Sequence, residues 1–282
     1  MTIPVMRHIA LPAGERIPVL GQGTWHMAEV RERRGEELAA LRVGLDLGLT
    51  LIDTAEMYAE GAAERLVGEA VAGRRDEVFL VSKVLPAHAT HRGTIEACEA
   101  SLRRLKTDRI DLYLLHWRGS APLWQTVEAF VELRERGWIR YWGVSNFDVM
   151  DLTELWGLPR GSEAQVDQVL YNLLRRSPEY NLLPWCRERE LPVMAYSPIE
   201  QSRLLTHPAL RGVAERREVT PAQVALAWVI RQRGVCAIPK AGSPAHVHEN
   251  AAALGVRLSR DDLLELDLAF PPPLKARPLE TL

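Results

Sequence analysis

Long apolar runs are missing from this chain. No stretch of its 282 residues is apolar for long enough to span a bilayer, and the N-terminal MTIPVMRHIALPAGERIPVL lacks the continuous apolar segment of an export signal. Cysteine is scarce. Cys98, Cys186 and Cys236 are far apart, odd in number and without the paired spacing that ligates zinc, which argues against a disulfide framework and for reduced thiols. A charge excess of either sign is also missing: 35 basic and 37 acidic residues give a formal net charge of −2, and the mixed run Arg31-Glu32-Arg33-Arg34 reads as a solvated face. His8, His26, His88, His91, His207 and His248 show no spacing that suggests a metal site, so a metal-dependent barrel hydrolase is disfavoured. These absences lead to the expectation of a cytoplasmic protein that binds neither membrane nor nucleic acid and has no obligate protein partner.

A glycine-rich dinucleotide fingerprint is lacking as well. The nearest fragment, Gly21-Gln22-Gly23-Thr24, has no third glycine and no helix pattern after it, which counts against an open doubly wound sheet. What recurs instead is a short apolar run ending in polar residues, followed by a helical segment. Eight such runs stand out: Val19–Gly21, Leu49–Asp53, Val78–Lys83, Leu112–His116, Tyr141–Val144, Ala164–Gln168, Val193–Tyr196 and Cys236–Pro239. Between them, Leu38, Leu41 and Leu45 share a helix face that ends at Gly48, a good left-handed cap. Ile95, Cys98, Leu102 and Leu105 share another, and Thr220-Pro221-Ala222-Gln223 has the spacing of a capping box. No linker or shift in composition divides the chain. The pattern predicts an α/β fold, a single (β/α)8 TIM barrel over residues 1–282, preceded by a short β-hairpin near Ala13-Gly14.

In a parallel barrel the strand ends converge on one face, so the polar residues closing strands two, three and four become neighbours. These are Asp53, Lys83 and His116, with Tyr58 just beyond. A lysine ending the apolar run VFLVSK is costly to bury unless paired, and Asp53 on the adjacent strand is its natural partner. Two blander readings stand beside this one. Asp53 could cap the next helix with Tyr58 as a surface aromatic, or the pair could be a structural ion pair at the rim. A separate site follows the eighth strand, where Lys240 precedes Ser243-Pro244, a helix cap and first turn. A cation beside open helix amides is an anion site.

GLTLIDTAEMY, VFLVSKV, LYLLHW, GVSNF, QVLYN, AYSP and IPKAGSPAHVHEN together resemble the aldo-keto reductase family, in that family's order and over nearly the whole chain. Within it they are most similar to small bacterial members that reduce methylglyoxal and related aldehydes. The resemblance implies an NADPH-dependent reductase in which Tyr58 protonates the carbonyl oxygen, Lys83 lowers the tyrosine's pKa, Asp53 holds Lys83 and His116 orients the carbonyl. It implies Trp25 and Trp117 at the substrate mouth. Ser145, Asn146 and Gln168 would hold the nicotinamide carboxamide and Tyr196 would stack on the ring, with Thr24, Asp53 and Ser197 as further cofactor contacts. Without the resemblance, Asn146 reads only as a turn residue. Lys240 and Ser243 would meet the adenosine 2′-phosphate, and Glu249 and Asn250 the adenine. One position departs from the family pattern, since His246 stands where arginine is common, and a moderated preference for NADPH with weaker use of NADH is expected. The rival function is a nicotinamide-binding regulatory module with little turnover; the intact Asp53, Tyr58, Lys83 and His116 favour the enzyme. The short RGSAPL loop after Trp117 and the short Pro-rich tail after Phe270 predict a shallow, open site for small aldehydes.

Overall fold

The computed structural model describes residues 5–282. The first four residues of the predicted domain lie outside the described residues. Strands β1 (His8–Ala10) and β2 (Arg16–Pro18) form the expected hairpin, with Ile9 opposite Ile17 and Gly14 at φ +91° in the turn. The hairpin serves as a floor, because its buried Leu11 and Ile17 join the cluster that fills the barrel.

The barrel strands are β3 (Gln22–Gly23), β4 (Leu51–Asp53), β5 (Phe79–Val84), β6 (Ile110–Leu115), β7 (Ile139–Ser145), β8 (Asp167–Leu170), β9 (Val193–Tyr196) and β10 (Val235–Ala237). They pair in parallel in chain order. Parallel bridges Leu20↔Ala237 and Gly23↔Lys240 bring the last strand back to the first, which closes the sheet into the predicted (β/α)8 barrel. That closure explains a glycine in GQGTW: a Cβ on Gly23 would lie 2.5 Å from the Ile238 carbonyl oxygen. The predicted strands are all present, but their limits move. The first spans Gln22–Gly23 and not Val19–Gly21, and the sixth starts at Asp167 and not Ala164. Apolar character locates such a strand, while hydrogen-bonded partners set its ends.

Side-chain alternation then positions the site. Leu51, then Phe79 and Val81, then Leu112 and Leu114, then Val166 and Met194 point inward and pack as one buried stack. Two residues further along the same strands or just past them come Asp53, Lys83, His116, Gln168 and Tyr196. The apolar core and the polar site are thus successive layers of one inward-facing row. Each fully buried Leu or Val below contributes roughly 1.5–3 kcal/mol, which offsets the cost of a polar layer above.

The outer faces of the strands pack under helices α1 (Arg34–Asp46), α2 (Ala62–Ala70), α3 (His91–Leu105), α4 (Leu123–Glu135), α5 (Val149–Gly157), α6 (Leu182–Glu188), α7 (Pro208–Arg216), α8 (Pro221–Ile230), α9 (Pro244–Ala252) and α10 (Arg260–Ala269). Their signals are largely those read from the sequence: Gly48 follows α1 at φ +82°, and Thr220 and Gln223 form a reciprocal capping box on α8. Among the described residues no helix is long and apolar enough to cross a membrane. Cys98, Cys186 and Cys236 are all free and buried.

Candidate active site

The ammonium of Lys83, which is fully buried, lies 2.8 Å from both carboxylate oxygens of Asp53, 2.8 Å from the Thr54 carbonyl and 3.4 Å from the Tyr58 hydroxyl. Asp53 therefore does not cap a helix. Its Oδ1 also accepts a 2.8 Å hydrogen bond from the Gln168 side chain across the barrel. The His116 ring packs edge-on to Tyr58 with centroids 5.8 Å apart, and its Nδ1 is buried without a partner. The fold thus brings Asp53, Tyr58, Lys83 and His116 together at the carboxyl ends of β4, β5 and β6.

Burial dominates the electrostatics of this cluster. It pushes the Asp53 carboxyl up, against the pull of Lys83 and Gln168, and pushes the Lys83 ammonium down, against Asp53. His116 falls to about 2 through burial and the neighbouring Lys83, so the imidazole is neutral at any physiological pH. At Tyr58 the expected lowering by Lys83 is outweighed at rest: burial first, then the negative field of Asp53 and the neighbouring Tyr196, raise its phenol well above the ordinary value. The lysine spends its charge on two carboxylate oxygens at 2.8 Å and approaches the phenol only at 3.4 Å, so the resting phenol keeps its proton.

Two adjoining cavities share Trp25, Tyr58 and Tyr196. One, of about 140 Å³, is walled by Trp25, Met57, His116 and Trp117, with Ser145, Asn146 and Gln168 deeper in. The other, of about 220 Å³, runs from Asp53 and Thr24 past Ser197 to Lys240. The polar residues between them are interlinked. Ser145 donates to the Gln168 carbonyl, Asn146 donates to the His116 carbonyl, and Tyr196 donates to Asn146 Oδ1 at 2.9 Å. Asn146 holds φ +61°, a conformation asparagine tolerates, so the turn reading is right and does not exclude a binding role. The Thr24 hydroxyl donates to the Asp53 carbonyl.

At the far end, Lys240 has no carboxylate partner among the described residues, and Ser243 caps α9 by accepting from the His246 amide. Ser243, His246, Glu249 and Asn250 lie beyond the two cavities on this helix: His246 is exposed, Glu249 accepts from Gln223 through its carbonyl, and Asn250 is buried beside Gln22 and Met27.

Sequence reasoning missed two wall residues. Met57 carries no polar signal of its own, and Leu282 is distant in the chain. The tail folds back so that Leu279 packs on the core and Leu282 lines the mouth beside Trp117 and Tyr196. The short tail thus adds an apolar wall to the rim of the site.

A closed parallel barrel with a neutral histidine, a protonated phenol and a buried Asp–Lys pair at its carboxyl ends, next to a groove ending in a free cation, defines an oxidoreductase of the barrel type. The chain belongs to the aldo/keto reductase family, whose model matches residues 19–269. It is 54% identical over 262 residues to the methylglyoxal reductase YeaE of Escherichia coli, covering 91% of this chain and 92% of the relative, and 33% identical to the glyoxal reductase of Bacillus subtilis, covering 92% and 91%. Among solved structures, an aldo/keto reductase from Klebsiella pneumoniae in complex with NADP and acetate is 50% identical, with a TM-score of 0.96 over 99% of this chain and 100% of that one.

Proposed function

We propose that this chain is a cytoplasmic, single-domain NADPH-dependent reductase of small aldehydes and ketones, with methylglyoxal-type dicarbonyls as preferred substrates. The observation that carries the reading is the Tyr58 phenol 3.4 Å from a buried ammonium, in a cavity of about 140 Å³. A cavity of that size suits a three- or four-carbon carbonyl compound better than a fused-ring ketone. Free, buried cysteines agree with a reducing compartment.

Bound NADPH supplies the hydride. The remaining work belongs to the protein. Tyr58 gives its proton to the carbonyl oxygen, and the phenolate left behind faces the Lys83 ammonium until water restores the proton. Asp53 keeps that ammonium charged and aimed. His116, neutral with Nδ1 buried, offers Nε2–H to the carbonyl oxygen and fixes its angle. Ser145, Asn146 and Gln168 would hold the carboxamide and Tyr196 the ring face, with Trp25 and Trp117 enclosing the substrate. The groove from Thr24 and Asp53 past Ser197 fits an extended anionic cofactor because it ends at Lys240, beside the Ser243 cap, with Glu249 and Asn250 further along α9. The intact proton donor favours an enzyme over a regulatory nicotinamide-binding module.

The test is NADPH oxidation with a panel of carbonyl compounds. Methylglyoxal should give a higher kcat/KM than aromatic aldehydes, sugars and steroid ketones. A steroid ketone turned over more efficiently than methylglyoxal would contradict the assignment, and no oxidation with any of them would favour the binding module.

His246→Arg tests the cofactor end. The exposed His246 on α9 offers no bidentate guanidinium fork, so arginine should tighten NADPH by about 1 kcal/mol while changing NADH little. Fluorescence titration with each cofactor measures this. Unchanged affinity for both would mean that the first turn of α9 does not face the 2′-phosphate.

A further inference from the structure

The motif QVLYN ends in Asn172, a residue that the chemistry above leaves without a task. Asn172 is fully buried and its amide nitrogen donates to two places on the segment after β9: the Ser197 carbonyl at 2.9 Å and Glu200 Oε2 at 2.8 Å. Its Oδ1 accepts from the Leu174 and Arg175 amides, which fixes the turn that carries Arg175. Arg175 then reaches in two directions. Nε donates to Glu200 Oε1 at 2.9 Å, and Nη1 donates to Glu280 Oε1 at 2.6 Å.

These two carboxylates sit on opposite edges of the active site. Glu200 is 2% exposed and belongs to the strap Ser197–Ser202, whose Ser197, Ile199, Gln201 and Ser202 line the groove that leads to Lys240. Ser197, Glu200, Gln201 and Ser202 all hold positive φ, between 46° and 71°, a conformation that non-glycine residues keep only where their surroundings impose it. Glu280 belongs to the tail, between Leu279, packed on the core, and Leu282 at the substrate mouth.

We propose that Arg175 is a positioning residue that couples the two edges, so that the cofactor strap, once set by Glu200, holds the tail over the substrate cavity through Glu280. The inference rests on the cofactor reading given above. A guanidinium is suited to the task because its planar fork binds two carboxylates at once, whereas a lysine ammonium at this position could not span both in the same geometry. Glu280 is partly exposed and Glu200 is buried, so the two arms differ in consequence. Loss of the tail arm frees Leu282. Loss of the arginine leaves a buried carboxylate with only Asn172 and loosens the strap as well.

The experiment is hydrogen exchange of the tail, residues 271–282, in the full chain with and without saturating NADPH, with cofactor binding followed by tryptophan quenching in the same samples. In the wild type NADPH should slow exchange in the tail, and in Glu280→Gln it should bind yet leave tail exchange unchanged. The same variant should raise KM for methylglyoxal about 2- to 5-fold, the scale of a partly exposed ion pair, and by reciprocity shift the NADPH Kd by no more than that factor. Arg175→Met should raise both constants, Arg175→Lys should recover cofactor binding but not tail protection, and adding Glu280→Gln to Arg175→Met should change nothing further. Tail protection that is equal in the wild type and Glu280→Gln, or absent from both, overturns the coupling alone. Failure of NADPH to quench the wild type overturns the functional reading, and the coupling with it.

Discussion

Tyr58→Phe will lower kcat for methylglyoxal by roughly 10³-fold or more while NADPH binds with nearly unchanged affinity. The phenol is the one group in the cluster that is protonated at rest, reaches the cavity and can leave its negative charge beside a cation. His116 cannot replace it as a proton source. Held down to about 2, the imidazole is neutral, and giving up its remaining proton would create an imidazolate, a far stronger base than the Tyr58 phenolate. General acid catalysis contributes about 10²–10⁴ in rate, and the lost hydrogen bond to the carbonyl oxygen adds to that. The neutral histidine has a second consequence. The rate profile should show no loss of activity on the acid side near 6.5, where an ordinary histidine would titrate. Steady-state kinetics and cofactor quenching on the purified variant give both numbers. Turnover above a tenth of wild type would remove Tyr58 from the role.

The fold and the polar layer at the strand ends were readable from the sequence for one reason: both follow from alternation. Leu51 and Asp53, Val81 and Lys83, Leu114 and His116 each differ by two residues, so any reading that finds the apolar strand also finds which polar residue continues its inward face. Helix caps such as Thr220 and Ser243 carry local signals and were equally plain. What could not be read depends on contacts between distant segments. Leu282 reaches the mouth only because the tail crosses it, Glu200 is buried only because Asn172 and Arg175 meet it, and a run of positive φ on Ser197, Glu200, Gln201 and Ser202 has no glycine to announce it.

Lysine itself separates the catalytic reading from the structural one. In this arginine-rich chain it occurs only at Lys83, Lys106, Lys240 and Lys275. A compact ammonium can touch two carboxylate oxygens, a carbonyl and a phenol from inside a barrel, a set of directions that a planar guanidinium fork does not match. Lys83→Met should therefore damage stability and rate together. Removing one member of a buried pair costs about 3–5 kcal/mol, lessened here because burial already raises Asp53 and lets it take up a proton. Replacing both members is different: Asp53→Asn with Lys83→Met leaves no unpaired charge, and such paired replacements are often close to neutral. The double variant should recover most of the lost stability, read as the midpoint of urea unfolding. Its turnover should not recover, because no cation then faces the Tyr58 phenolate, and the rate should stay roughly 10³-fold below wild type, the scale set by losing one stabilising partner of developing charge. A structural ion pair predicts the opposite result, with rate returning as stability returns. Recovery of turnover to within tenfold of wild type in the double variant would show that Lys83 serves the barrel and not the proton transfer.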